Sequence, residues 1–440
     1  MSSQQSPLGI SQRTPRKPRL YYGWVIVGVI FLTSLAATVQ LNPTISVFVK
    51  PITEEFGWSR SALAGALTIG TIMGGILAAA VGPLVDRFGG RWVLFGGFLA
   101  LGGLLIALSF IHALWHFYAI AITTRMLIQG VIGITNNVAV AKWFVRQRGR
   151  AVGLASLGQR FGNGVTPYFA QAFIGARGWR PAIVAVGLYA WGLSLAPVLL
   201  WLRRQPEDMG LRADGAPPER DAADSVRTGA RADGAHQPEV SFTLREALRA
   251  PVFYVLLVSA AFSVFAGAGI NFNMQPLFTD RGLSASQGAL VIAIWSLIGI
   301  PASVMAGFLA ERLAGRHMLA LIYLGVAGGI VLLTQVRSMN SALLFAVVHG
   351  SFFGGMVLLQ NLIYADYFGR RSLGSIRGFT TPFQMAANSV GPLAGALVYD
   401  LTGGYTPILV VFAALMAVSA LAMVVAKPPR LAGSGATQSP

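Results

Sequence analysis

The sequence repeats a set of short motifs at a spacing of 225 residues, and this repeat limits the folds that the chain can adopt. The positions in the first half are Pro51, Gly57, Ser59, Gly82, Asp86, Arg87 and Gly153, and their counterparts are Pro276, Gly282, Ser284, Gly307, Glu311, Arg312 and Gly378. Long apolar runs separate these positions in both halves. Repeats between apolar segments are typical of membrane proteins whose two halves surround a central site. The repeat therefore predicts two halves with the same helix arrangement.

Apolar runs long enough to cross a lipid bilayer cover nearly the whole chain. Hydrophobic residues make up 54% of the sequence and charged residues only 11%, whereas soluble proteins carry about 25% charged residues. A run of about 18 apolar residues can cross the hydrocarbon core, and it must be helical because lipid offers the backbone no hydrogen-bond partners. Twelve spans are predicted, at residues 22–49, 60–84, 92–111, 115–144, 151–175, 181–202, 252–278, 285–310, 317–336, 340–368, 377–399 and 405–426.

The predicted spans divide into two groups of six, separated by a polar segment. We expect an all-α integral membrane fold of two pseudo-symmetric six-helix bundles, at residues 21–203 and 251–427. The segment between them, residues 204–250, is rich in charged residues, Ala, Gly and Pro, and this composition predicts a disordered cytoplasmic linker. Residues 1–20 and 428–440 are predicted to be cytoplasmic tails.

The basic residues predict a membrane topology. The net charge of +17 could indicate a nucleic-acid partner. However, the short loops and tails on the side of the N-terminus carry seventeen Lys and Arg residues, against six on the opposite side. Because basic residues concentrate on the cytoplasmic side of membrane proteins, both termini are predicted to be cytoplasmic and no nucleic-acid partner is expected.

A charged motif follows the second span of each half. It reads GPLVDRFGGR at residues 82–91 and GFLAERLAGR at residues 307–316. This signature, present twice at the repeat spacing, resembles the loop motif of the major facilitator superfamily. The resemblance implies state-dependent latches at the cytoplasmic starts of the eleventh and fifth spans, and the alternative is a set of solvated loop charges. The predicted latch residues are Gly82, Asp86, Arg87, Arg91, Gly307, Glu311, Arg312, Arg377 and Arg150, with Asp86 paired to Arg377 and Glu311 to Arg150.

Three shorter segments resemble a narrower group. They read YGW at residues 22–24, EFGWS at residues 55–59 and WFVRQRGRAVGLASLG at residues 143–158. These segments are similar to the monocarboxylate porter family, which also includes oxalate/formate exchangers. The resemblance implies a carrier of small carboxylates. Many members of that family have an arginine within the eighth helix at the position where this chain has Ser303.

Two arginines lie within the predicted spans. Arg125 is in the fourth span and Arg160 in the fifth, and neither has a carboxylate at its own depth. An arginine in the middle of a membrane helix costs about 2.5–3.5 kcal/mol on insertion scales and usually faces a cavity. Because a guanidinium can hold a carboxylate through two parallel hydrogen bonds, both arginines are predicted to bind an anionic substrate. The alternative is that backbone carbonyls and amides such as Gln129, Asn136 and Asn163 satisfy them.

The repeat places other polar residues opposite these arginines. A shift of 224–225 residues relates Arg125 to His349 and Arg160 to Gln384. His349 is a candidate proton carrier because histidine titrates near physiological pH, and the alternative is a packing histidine. Amides on the first, seventh and tenth spans complete the predicted cavity. The predicted substrate-binding residues are Arg160, Arg125, His349, Gln384, Asn271, Asn273, Gln40 and Gln360.

These features predict a secondary transporter that moves a small organic anion by alternating access, as a proton symporter or an anion exchanger. The alternatives are an exporter of drug-like or neutral solutes and a transporter-like membrane sensor. We expect no enzyme activity, metal or cofactor, because the chain has no cysteine, no phosphate-binding loop and no cluster of catalytic acids. The expected location is the plasma membrane, specifically a bacterial inner membrane, and the expected state is a monomer.

Overall fold

The computed structural model describes residues 21–144, 147–212, 242–310, 315–369 and 373–428. Twelve long helices lie within these residues and are numbered in chain order. They are α1 (Gly23–Phe56), α2 (Arg60–Phe88), α3 (Gly90–Leu108), α4 (Leu114–Trp143), α5 (Arg148–Arg177), α6 (Trp179–Trp201), α7 (Pro251–Asp280), α8 (Ala285–Ala310), α9 (Gly315–Thr334), α10 (Met339–Phe368), α11 (Leu373–Thr402) and α12 (Thr406–Val425). Apart from residues 204–212, 242–250 and 428, the predicted linker and tails lie outside the described residues.

Ten helices in the described ranges are long and apolar enough to cross a membrane. The two others, α5 and α11, have 30 residues each, which exceeds the length that a bilayer requires. Both are more polar than the rest, and the 225-residue repeat relates one to the other. Their polarity has a structural reason, because both contribute to the wall of a central cavity. The helical membrane fold predicted from the sequence is confirmed.

Helix packing follows the same pairing in both halves. In the first half α2 packs on α4, α1 on α5 and α3 on α6, and in the second half α8 packs on α10, α7 on α11 and α9 on α12. The buried apolar side chains form one core in each half. The halves meet along α2–α11 and α5–α8, two interfaces that the repeat interchanges. The fold is therefore two pseudo-symmetric bundles of six helices.

Several repeated residues form the same tight corner in each half. Gly57 and Gly282 end α1 and α7 with φ angles of 68° and 89°, a left-handed backbone that glycine adopts without strain. Ser59 and Ser284 follow two residues later, and each accepts a hydrogen bond from the backbone N–H three residues further on. These hydroxyls cap the N-termini of α2 and α8. The repeat therefore marks helix boundaries as well as related packing positions.

Two helices of the first half are distorted near mid-length. Helix α1 passes through a 3-10 turn, Ala37–Gln40, and one extended residue, Leu41, before it continues from Asn42. Pro43 favours this break because it lacks an N–H group and its ring clashes with the carbonyl of the preceding turn. Helix α4 contains a π-helical turn, Leu127–Ile132, a distortion that is frequent at functional sites. Both distortions lie beside the central cavity.

Candidate functional site

A cavity of about 340 Å³ lies between the two halves, midway along the helices. Helices α1, α4 and α5 contribute to its wall from the first half, and α7, α10 and α11 from the second. Among the described residues that line it, Arg125 is the only charged residue and none is acidic. The polar lining residues are Asn42, Arg125, Gln129, Gln159, Asn163, Ser263, Asn271, Gln360 and Asn388. The cavity is therefore rich in amides and positively charged.

Arg125 is buried on α4, and the first half alone holds its guanidinium. Its Nε donates to Thr71 Oγ1 at 2.9 Å, its Nη1 donates to the backbone carbonyl of Gln40, and its Nη2 donates to Asn42 Oδ1 at 2.9 Å. The break in α1 supplies two of these acceptors, because Gln40 and Asn42 flank its extended residue. All three acceptors are neutral, and no described residue offers Arg125 a carboxylate. The cavity therefore contains an uncompensated positive charge.

Two amide oxygens in the wall have no hydrogen-bond partner. The Oδ1 atoms of Asn163 on α5 and Asn271 on α7 are buried, and no described residue donates to either atom. Gln360 on α10 differs, since its Nε2 donates to Ser263 Oγ at 2.6 Å and to Tyr323 OH at 3.0 Å. A buried polar group without a partner is destabilising by about 1–3 kcal/mol. The two asparagine oxygens are therefore enclosed by protein and not exposed to the cavity, although their residues line it.

A second cavity, of about 170 Å³, extends from the first toward the terminal side, the end of the molecule that holds Gly23 and Val425. Leu41, Gln129 and Gln159 line both cavities. The other lining residues of the second cavity lie on α1, α4 and α5, mostly nearer the terminal side, and include polar side chains. The central cavity therefore has a partly polar path toward the terminal side.

An ionic cluster between the two halves closes the opposite end, which we call the far side. Arg60 donates to both carboxylate oxygens of Asp280, at 2.6 and 3.1 Å, and to the hydroxyl of Tyr405 at 2.6 Å. Its guanidinium lies 3.8 Å from the centroid of the Tyr399 ring. Asp400 accepts hydrogen bonds from the first two backbone N–H groups of α2. These five residues, the far-side cluster, join α2 to α7, α11 and the start of α12.

Arg160 lies at the α5–α8 interface. Its Nη1 donates to the carbonyl oxygen of Gly299 at 3.3 Å, and Ser296 Oγ donates to the Arg160 carbonyl at 2.9 Å. Arg160 is not among the residues that line the cavity, although its neighbour Gln159 is. Its contact with substrate stays a prediction, and in this conformation its hydrogen bonds join the two halves.

His349 is fully buried on α10, next to a group of aromatic rings. Its imidazole stacks on Phe345 and Phe353, with centroid distances of 5.1 and 5.6 Å. Trp295 Nε1 donates to His349 Nδ1 at 2.8 Å, an arrangement that fits a neutral ring with its proton on Nε2. His349 does not line the cavity, and its role as a proton carrier stays a prediction.

The other predicted substrate-binding residues have different positions. Asn271 and Gln360 line the cavity. Gln40 lies behind the wall, where its carbonyl accepts from the buried arginine and its amide donates to α4. Asn273 donates to two backbone carbonyls, on α7 and α11, and therefore contributes to helix packing. Gln384 is half-buried on α11 and is not among the lining residues.

Besides Asn42, which the sequence indicated only as a polar residue of the cavity, four amides of the wall were absent from the predicted set. Gln159 and Asn388 received no role from the sequence, and Gln129 and Asn163 were considered only as partners of an arginine. The repeat contains a signal for some of them, because a shift of 225 residues relates Gln159 to Gln384 and Asn163 to Asn388. Residues four apart share one face of a helix. A glutamine and an asparagine four residues apart therefore occur at related positions of α5 and α11, and they indicate a polar face on each helix.

The predicted latch residues are described only in part. Gly82 and Asp86 lie in the last turns of α2, and Arg377 lies near the start of α11, but their side chains are outside the described set. Glu311 and Arg312 belong to residues 311–314, which are also outside it. The pairs of Asp86 with Arg377 and of Glu311 with Arg150 therefore stay predictions. The described latch residues, all near helix ends on the terminal side, are Arg87, Arg91, Arg150 and Gly307.

The paired bundles and the cavity between them define a membrane transport protein, and the same architecture occurs in solved transporters. The structure of a D-xylose-proton symporter has a TM-score of 0.69 to this chain at 16% identity, covering 91% of this chain and 97% of that one. A bacterial homolog to the human lysosomal transporter Spinster has a TM-score of 0.64 at 17% identity, covering 93% and 96%. Residues 26–392 match the Major Facilitator Superfamily model. The chain belongs to the Major Facilitator Superfamily.

Curated relatives of similar length are also transporters. Human monocarboxylate transporter 12 is 26% identical over 418 residues, which cover 90% of this chain and 78% of the relative. The gallate transporter of Pseudomonas putida is 22% identical over 355 residues, which cover 77% of each chain. This chain is therefore a multi-pass membrane transporter that resembles the monocarboxylate transporters in sequence, and it is not an enzyme.

Proposed function

We propose that this chain is a secondary transporter that carries a small monocarboxylate by alternating access. The observation that carries the proposal is Arg125, a buried cation in a cavity between the halves that no acidic residue of the described ranges lines. A guanidinium has five N–H donors, and Arg125 directs three of its hydrogen bonds to the protein. Two donors remain for a carboxylate, which would also neutralise the charge.

The number of cations in the wall favours a substrate with one negative charge. A second carboxylate would enter a site in which no described side chain offers it a countercharge. An unpaired charge in such an environment is destabilising by several kcal/mol. The remaining polar wall consists of amides and hydroxyls, which bind neutral groups. The site therefore supports a monocarboxylate over a dicarboxylate.

The two ends of the molecule support alternating access. The path of the second cavity leads to the terminal side, and the far-side cluster closes the other end. A substrate reaches Arg125 from the terminal side in this conformation and leaves on the far side once the cluster separates. The basic residues of the terminal side support a cytoplasmic orientation for that side, in a plasma membrane. One chain forms the whole cavity, so a monomer is sufficient, with either proton symport or anion exchange as the coupling.

Substitution of the two membrane arginines tests this proposal. Wild-type protein and the variants Arg125→Gln, Arg125→Lys and Arg160→Gln are reconstituted into proteoliposomes, and uptake of radiolabelled lactate, pyruvate and benzoate is measured. Hydrogen bonds to charged groups contribute about 1.5–3 kcal/mol, so Arg125→Gln should lower the apparent affinity by roughly 10- to 100-fold. Arg125→Lys keeps the charge and should retain part of the uptake.

Arg160→Gln is the matched control, because Arg160 donates to a backbone carbonyl outside the cavity wall. We expect its substrate affinity to be close to that of the wild type, with folding of all variants checked by size-exclusion chromatography. Loss of affinity in Arg160→Gln with normal affinity in Arg125→Gln would instead make Arg160 the anion-binding residue, as the sequence predicts.

A neutral polar solute is the second candidate substrate, because amides dominate the polar wall. This alternative requires uptake of a neutral polyol by the wild-type protein and no uptake of any monocarboxylate. A membrane sensor would show neither, even when a ligand stabilises the purified protein.

A further inference from the structure

We infer that Gln129 and Gln159 form a second subsite, which binds a neutral polar group on the tail of the transported acid. The inference rests on the proposed function, since the carboxylate of that acid would bind Arg125 in the same cavity. The substrates favoured in this way are monocarboxylates with a hydroxyl, keto or amide group several atoms away from the carboxylate. Specificity would therefore depend on the two glutamines as well as on the arginine.

The two glutamines lie where the central cavity meets the second cavity. Gln129 on α4 and Gln159 on α5 line both cavities, and among the described residues only Leu41 also does so. The second cavity leads toward the terminal side and adds about 170 Å³ to the 340 Å³ of the central one. An acid that is bound at Arg125 and extends toward the terminal side would therefore pass both amides.

The side-chain amides of both residues are accessible. Gln159 is exposed and Gln129 is half-buried, and the amide atoms of Gln129 are not among the enclosed polar atoms that lack a partner. Neither amide forms a hydrogen bond with another described residue. Gln360, which the second half contributes to the wall, differs because its amide nitrogen donates to two protein oxygens. The two glutamines are therefore free to bind a ligand.

The position of Gln129 on its helix sets the expected length of the substrate. Helix α4 runs from the far side to the terminal side, so Gln129 lies about one turn nearer the terminal side than Arg125. Four residues of a helix rise by about 6 Å along its axis. The polar group should therefore lie at a similar distance from the carboxylate, as it does at the end of a five-carbon chain but not on the carbon next to the carboxylate.

The chemistry of the subsite restricts this group further. A carboxamide both donates and accepts hydrogen bonds, so it can bind a hydroxyl, keto or amide group. The described residues that line the second cavity carry no charge, so a charged tail would lack a countercharge there. An apolar tail would displace water from both amides without replacing its hydrogen bonds. The subsite therefore favours a neutral polar tail over a charged or an apolar one.

Acids that differ only in the tail test the inference. One set is 5-hydroxypentanoate, 2-hydroxypentanoate and pentanoate, and the other is 4-hydroxybenzoate with benzoate. For each acid, we measure competition with a transported radiolabelled acid in proteoliposomes and thermal stabilisation of the purified protein. The wild type should prefer 5-hydroxypentanoate to the other two members of its set, and 4-hydroxybenzoate to benzoate, by about tenfold, which corresponds to about 1.4 kcal/mol.

Substitution of each glutamine by methionine removes the amide and keeps a side chain of similar length. Gln129→Met and Gln159→Met should bring the affinities for 5-hydroxypentanoate and pentanoate close to each other. Gln171→Met is the matched control and should keep the wild-type preference, because Gln171 lies on α5 but is not among the residues that line either cavity. Size-exclusion chromatography identifies a variant that fails to fold, and the other glutamine variant then decides.

The outcomes separate this inference from the proposed function. Equal affinities within both sets for the wild type, with binding that still depends on Arg125, would overturn the inference and leave the proposed function standing. A preference that survives both glutamine substitutions would also overturn it. If no acid binds and a neutral polyol binds in a manner that requires both glutamines, the anion function fails whereas the polar subsite stands.

Discussion

At the residue scale, His349 shows how neighbouring side chains can hold an ionisable group in its neutral form. Trp295 directs its N–H at Nδ1 of the imidazole, and two phenylalanine rings stack on it. A second proton on this ring would place two N–H donors against each other and a charge among aromatic side chains. The geometry therefore favours a packing role over the proton-carrier role that the sequence left open.

The variant His349→Phe distinguishes these two roles, because it keeps a ring in the aromatic stack and removes the titratable group. We expect uptake between about pH 5 and 8, the range in which histidine titrates, to keep the wild-type pH dependence. The measurement is the initial rate of tracer uptake in proteoliposomes at each pH. A pH profile that becomes flat in the variant, with the protein still folded, would identify His349 as the proton carrier.

The sequence indicates which membrane residues are polar, but it does not show which way they face. Arg125 and Arg160 both interrupt apolar helices, yet only Arg125 lines the cavity. Consecutive residues of a helix point about 100° apart, so Gln159 can face the cavity while Arg160 faces α8. In a membrane helix the lipid-facing and protein-facing sides are both apolar, so the hydrophobic pattern does not resolve this choice.

At the element scale, close contact between α1 and α5 depends on Gly158. A Cβ atom at this position would overlap the backbone carbonyl of Phe31, and Gly162 one turn later faces Thr38 in the same way. Glycines four residues apart allow two membrane helices to approach closely. This contact between α1 and α5 fixes the position of α1. Helix α1 in turn accepts a hydrogen bond from Arg125 of α4 through the carbonyl of Gln40, so the contact also affects the position of α4.

Gly158→Ala should therefore destabilise the protein, by about 1–3 kcal/mol if it behaves like other overpacked interfaces. Gly153→Ala is the control on the same helix, because a Cβ atom there would meet no other atom within 4 Å. Alanine is a better helix former than glycine by about 1 kcal/mol, so the control should melt at the same or a higher temperature. Equal melting temperatures for the two variants in detergent would contradict the proposed contact.

The number and order of the helices could be predicted from the sequence, whereas some of their ends could not. The first span was predicted to end at residue 49, before Pro51, but α1 continues to Phe56. Proline interrupts only one hydrogen bond, and this segment is stabilised by packing against α7. Pro43 favours the break within α1, whereas an apolar run does not reveal the π-helical turn of α4.

At the scale of the whole molecule, the far-side cluster holds the two bundles in one arrangement. Arg60 and Asp280 come from different halves and are 220 residues apart in sequence. Both lie at helix ends, where a sequence predicts solvated charges, so their pairing could not be foreseen. The repeat did predict the two related bundles, because it reflects the symmetry that relates one half to the other.

Arg60→Gln should shift the molecule toward conformations that are open on the far side. It removes charge-assisted hydrogen bonds of about 1.5–3 kcal/mol, which corresponds to roughly a 10- to 100-fold change in the equilibrium. The chain has no cysteine, so spin labels at Ala176→Cys and Leu401→Cys, on opposite bundles, report the distance across the far side. We expect a longer mean distance or a new long-distance population in the variant.

Arg337→Gln is the control for this measurement, since it removes one positive charge from an exposed position on the far side. Its distance distribution should match that of the labelled wild type. If Arg60→Gln also leaves the distribution unchanged, the far-side cluster does not control opening.

The unpaired charge of Arg125 makes the empty carrier and the loaded carrier electrically different. With the proposed monocarboxylate bound, the site has no net charge, and without it the site carries one positive charge. Moving one elementary charge through a membrane potential changes the free energy by about 2.3 kcal/mol per 100 mV. When the bundles reorient, the site becomes accessible from the other side of the membrane. The membrane potential therefore acts on the reorientation of the empty carrier, whose site is charged, and has little effect on that of the loaded carrier. Voltage would therefore control how quickly the carrier returns, and the anion itself would cross without moving net charge.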